Sequence, residues 1–122
     1  MRQLAFEGTG MRNNALLEAQ PYPVEQALRR LGGNLRTARL RRHLTINEAA
    51  EKIGTGPRAV SDAEHGKPST GIAVYTALLW LYDLLGAFED LANPLKDEQG
   101  LALESRRDRV RARKGRGLDN DF

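Results

Sequence analysis

Apolar residues along this chain recur at the spacing of helices. From Val24 onward, Leu28, Leu31, Leu35 and Ala38 follow one another at steps of three and four, which gathers them on one helical face. Gly32 and Gly33 interrupt the pattern at roughly 1 kcal/mol each relative to alanine, so it allows two consecutive pieces in place of one. Thr45 then offers a cap. Its hydroxyl can accept the Glu48 backbone N–H while the Glu48 carboxylate reaches back, a capping box that starts a helix at Ile46. Ile46, Ala49, Ala50 and Ile53 form its apolar face, and Gly54 follows where a left-handed terminating residue is wanted.

Pro57 suits the first turn of a next short helix, because its missing N–H has no role there, and Gly66 with Pro68 closes that helix after His65. Ser69 or Thr70 is the expected cap of a fourth, whose face carries Ile72, Tyr75, Leu78, Leu79 and Tyr82. Leu81, Leu84, Leu85 and Phe88 continue the apolar material to Asn93 and Pro94, and 100–107 can add one short helix. Residues 1–23 read as a flexible arm with a short helix around 14–19, residues 24–92 as the folded domain, and 93–122 as a C-terminal extension. The basic, glycine-punctuated end after Arg109 holds nothing that can build a core and reads as disordered until bound. The expected architecture is all-α, a compact five-helix domain between two flexible ends.

Charge changes the picture through its placement. The net charge is only +3, yet no acid falls between Glu25 and Glu48, where Arg29, Arg30, Arg36, Arg39, Arg41 and Arg42 cluster. The stretch from Arg106 to Arg116 is equally one-sided, with Asp108 its sole acid. The chain contains no cysteine, which excludes disulfides and thiolate chemistry and fits a reducing cytoplasm. His43 and His65 are too few for a histidine metal cluster and read as surface or capping residues near helix ends. No Gly-rich phosphate cradle and no nucleophile–base pair is evident, so the sequence argues against an enzyme and implies no cofactor. It offers neither an export leader nor a run of apolar residues long enough for a membrane span.

The informative unit is 46–66: a two-turn helix, the turn Gly54-Thr55-Gly56, and a second short helix. Ala50 is small where the two helices cross, Gly54 can take a positive φ, and Val60 returns the second helix to the core. The segment LGGNLRTARLRRHLTINEAAEKIGTGPRAVSDAEHGKP, Leu31 to Pro68, resembles the DNA-binding module of Xre/Cro-type helix-turn-helix regulators. Further on, VYTALLWLYDLLGAFEDLANPLKDEQGLALESRR and the closing LDNDF resemble HipB-like antitoxins, which neutralise a HipA-like kinase toxin and repress their own operon.

The resemblance implies a repressor that binds operator DNA, associated with the nucleoid. It places the helix after Pro57 in the major groove, with Arg58 reading a guanine and Ser61 a second contact. Arg39, Arg41 and Arg42, with the backbone N–H groups at Thr55 and Gly56, would hold phosphates. Asp62 stands where a neutral or basic residue is more usual and would repel phosphate unless it accepts from a cytosine amine. Ile46 replaces a frequent glutamine, and Ala63 a larger core residue. These departures favour a rival reading, a protein-interaction module on a helix-turn-helix scaffold with little specific DNA binding. Trp80, Tyr75 and Tyr82 read as core or the seam of a homodimer. Leu118, Asp119, Asp121 and Phe122 are the expected contact with the HipA-like toxin.

Overall fold

The computed structural model describes residues 14–120, with side chains through residue 115. Seven α-helices follow in order: α1 (Ala15–Glu18), α2 (Tyr22–Arg41), α3 (Ile46–Ile53), α4 (Pro57–Glu64), α5 (Ile72–Leu81), α6 (Leu85–Glu89) and α7 (Glu98–Asn120), with a short 3-10 turn at Pro94–Lys96. No strand occurs among the described residues. Among the described residues the all-α expectation holds, with seven helices in place of five. Two compact units divide the chain, one through Phe88 and one from Glu89.

In the first unit, α2 to α5 enclose a core of Leu35, Ala38, Ala49, Ala50, Val60, Ala63, Tyr75, Leu78 and Tyr82. The glycine pair does not break α2, which runs unbroken for 20 residues. Gly32 explains why. A Cβ there would lie 2.6 Å from the carbonyl oxygens of both Ala63 and Glu64, so the bare Cα lets α2 touch the end of α4. Gly66 meets the Leu28 carbonyl in the same way, at 2.5 Å from a would-be Cβ, and has φ +68. The loss of helix propensity at Gly32 is offset by backbone approach. Ala63, fully buried, fits this close crossing, so the small residue goes with tight packing.

The capping box forms as the spacing predicts: Glu48 N–H donates to Thr45 Oγ1 at 3.0 Å, and Thr45 N–H to Glu48 Oε1 at 2.8 Å. Gly54 ends α3 in the left-handed conformation, φ +83. The start of α5 differs from expectation. Gly71 stands at its N-cap with no side-chain hydrogen bond, and neither Ser69 nor Thr70 caps it. Around α5, Tyr75, Leu78 and Tyr82 are buried as expected, whereas Trp80 is 62% exposed and belongs to no core.

The second unit overturns the disordered tail. From Glu98 the chain forms one helix of 23 residues. Arginine is its commonest residue and, with leucine, alanine and glutamate, makes up just over half of it; these residues lose little freedom in a helix, and no proline intervenes, although Gly100, Gly115 and Gly117 lie within it. The absence of core-building material does hold. Every side chain from Leu101 to Gly115 is exposed.

Candidate nucleic-acid interface

The α3–turn–α4 pair is set by side chains that point inward. Ala49 and Ala50 of α3 and Val60 and Ala63 of α4 are buried against each other and α2. Steps of three and four along α4 then leave Arg58, Ser61, Asp62 and His65 on its outer face. Arg58 and His65 are exposed, Ser61 and Asp62 half-buried. The expected base-reading residues thus share one face, with Arg58 in the first turn. Asp62 does not stand alone, because Lys67 Nζ lies 3.8 Å from its carboxylate. His65 ends α4, its Nδ1 2.7 Å from the Ser61 carbonyl oxygen, which is the capping role expected of it.

Gly56 is the N-cap of α4 and supplies no side chain to satisfy the helix's first N–H groups. Among the described residues, neither the Gly56 nor the Arg58 N–H has a protein acceptor. The positive end of the α4 dipole is therefore open to an anion. Thr55 is a correction: its N–H is spent inside the protein, donated to the Ala50 carbonyl at 2.9 Å. A shallow groove lined by Asn47, Glu48, Glu51, Thr55 and Pro57 runs beside this end of α4.

The arginines of α2 divide sharply. Arg39 is not a phosphate contact. It is 7% exposed, and its Nε and Nη2 donate to the two Glu64 carboxylate oxygens at 2.6 and 3.0 Å while Nη1 donates to the Leu44 carbonyl. The bidentate fork ties α2 to the end of α4 and so fixes the outer face of α4. Arg42, just past the end of α2, is exposed but engaged: it donates to the Ala38 and Tyr82 carbonyls at 2.9 and 2.8 Å, and its guanidinium lies 5.4 Å from the Tyr82 ring centroid. Arg41 remains exposed.

The Arg39–Glu64 pair is the site feature that the sequence reading missed, although a signal was present. Arg39 follows Leu35 by four and Glu64 follows Val60 by four, so each charge sits in a core register. Two opposite charges in apolar registers of neighbouring helices imply a buried pair. Of the expected toxin-binding residues, Asp121 and Phe122 lie outside the described residues, and Leu118 and Asp119 fall in the last backbone turn of α7.

Residues 35–79 match the helix-turn-helix family model, an Xre-type domain of the kind that binds DNA in transcription regulators. The matched span runs from the middle of α2 to near the end of α5 and contains α3 and α4 whole. No curated protein and no solved structure gives a match. Among the described residues, no helix is long and apolar enough to cross a membrane.

Proposed function

We propose that this protein is a sequence-specific repressor that inserts α4 into the major groove of operator DNA. The observation that carries this reading is the outer face of α4. Arg58 stands free in the first turn beside open backbone N–H groups, while Arg39 and Glu64 anchor the inner face of α4 to α2. A guanidinium so placed can donate twice to guanine O6 and N7, worth about 1–3 kcal/mol of discrimination. Ser61 adds a second contact, and Lys67 offsets the charge that Asp62 brings to the groove.

The same reading takes the protein as a homodimer. α5 is apolar nearly all round, and Ile72 and Trp80 remain 65% and 62% exposed on its outer side. Covering this strip with a second copy would pair two recognition helices on a two-fold operator. The finer assignment, antitoxin to a HipA-like kinase toxin, rests on the resemblance carried by residues 74–107 and 118–122, and co-purification with the kinase of the same operon tests it.

The decisive experiment titrates the protein against its own upstream DNA and a scrambled duplex at two salt concentrations. Preference for the upstream sequence with a steep salt dependence is the expected result. Equal, weak binding to both would instead support the interaction-module reading, which the acids Glu48, Glu51 and Asp62 around the groove favour.

A further inference from the structure

The α3–turn–α4 pair is poor in free positive charge. α3 and α4 together expose Lys52 and Arg58 as cations, against Glu48, Glu51 and the half-buried Asp62. Arg39 of α2 and Arg42 just after it are engaged within the protein. Binding to duplex DNA depends on neutralising phosphates, whatever the sequence being read. Arg30, Arg36 and Arg41 of α2 are exposed as well, but the cations most densely clustered for that term lie elsewhere in the chain.

They stand on α7. At 3.6 residues per turn, Leu103 and Val110 fall in line, and Arg106 and Arg113 flank them on one side, Arg107, Arg111 and Lys114 on the other. Leu103, Arg106, Arg107, Val110, Arg111 and Lys114 line one shallow groove along the helix. Asp108 falls on the opposite side of the helix. All of these side chains are exposed, and no salt bridge engages the basic ones among the described residues.

We propose that this face of α7 is a second, sequence-independent DNA contact that holds the phosphate backbone of the duplex. Arginine predominates over lysine on it, and the planar guanidinium fork matches phosphate oxygens. The apolar seam of Leu103 and Val110 is too narrow to insert into a bilayer, where a broad apolar face with aromatic or leucine residues is required. The contact deepens the repressor reading, on which it rests for its ligand, by separating the work: Arg58 discriminates and α7 supplies charge.

The test measures binding of the full-length protein to a scrambled duplex by fluorescence anisotropy, at salt concentrations of about 50 to 200 mM. A variant carrying Arg106→Gln, Arg107→Gln, Arg111→Gln and Lys114→Gln removes four charges without introducing a helix breaker, and circular dichroism checks that α7 persists. The expected result is a slope of log K against log salt shallower by about 3 to 4, while preference for the upstream DNA over the scrambled duplex is kept. A companion with Arg106→Lys, Arg107→Lys and Arg111→Lys should retain the slope of the native protein. An unchanged slope in the glutamine variant overturns the proposal. So does equal loss in the lysine companion, or binding of the native protein to phosphatidylserine vesicles in place of the duplex. If the native protein shows no preference for its upstream DNA yet the slope falls as expected, the repressor reading fails and the α7 contact stands.

Discussion

Two helices of this protein are rich in arginine, and only one of them builds an arginine into the core. In α2, the register that buries Leu35 and Ala38 carries Arg39 with it, and Arg39 is held by a buried carboxylate and a carbonyl. In α7 no core face exists, and every arginine from Arg106 to Arg113 faces solvent. One residue type therefore serves as a buried strut at Arg39 and as surface charge in α7, as it does at Arg30, Arg36 and Arg41 of α2 itself. Charge clustering in a sequence says where cations are, but only the apolar register beside them says which ones are free.

The largest effect expected from this contrast is at Glu64. Glu64→Ala leaves the buried Arg39 guanidinium unpaired and should destabilise the first unit by about 3–5 kcal/mol in chemical denaturation. Replacing both partners, Arg39→Met with Glu64→Leu, should recover most of that loss, because the burial of charge disappears with the pair. Arg107→Ala, by contrast, should stay within about 0.5 kcal/mol of the native protein. A comparable loss at Arg107 would mean that α7 arginines also brace the fold.

Gly32 and Gly33 sharpen the comparison by one residue. Gly32→Ala drives a methyl group into the backbone of α4 and should cost about 1–3 kcal/mol. The site of Gly33 is open, with nothing within 4 Å of an added Cβ. Gly33→Ala should therefore raise the melting temperature, by helix propensity worth about 0.5–1 kcal/mol.

Thr45→Ala removes one half of the capping box, with an expected loss of about 1 kcal/mol. The Glu48 carboxyl is held below its ordinary value, first by the Thr45 backbone N–H and then by the Thr45 hydroxyl. Its folded pKa is lower than its unfolded one, so the stability it contributes is present above the unfolded value and is lost as pH falls through the folded value. Denaturation between neutral and acidic pH should show a shallower decline in Thr45→Ala than in the native protein.

Much of the first unit was legible in the sequence because its signals are local. The Thr45 and Glu48 cap, the left-handed Gly54 and the Pro57 start are each set by neighbours a few residues away, and each forms as the spacing predicts. The failures are tertiary. The continuity of α2 through Gly32 depends on the backbone of α4, 31 residues later at Ala63. The fate of Arg39 depends on Glu64, 25 residues away. Some helix ends carry no glycine signal either: His43 and Asp83, at φ +56 and +60, take left-handed conformations that the sequence does not advertise. α7 shows the converse: a segment with no core to build still forms a helix, because arginine, leucine, alanine and glutamate favour one locally.

The central claim is that Arg58 on the outer face of α4 reads a base. Its most direct test is the affinity of Arg58→Ala for the upstream DNA and for a scrambled duplex, measured side by side at one salt concentration. Upstream affinity is expected to fall by about 1–3 kcal/mol, with scrambled binding little changed, so that the ratio between them collapses. Equal losses on both duplexes, or no loss on either, would contradict it.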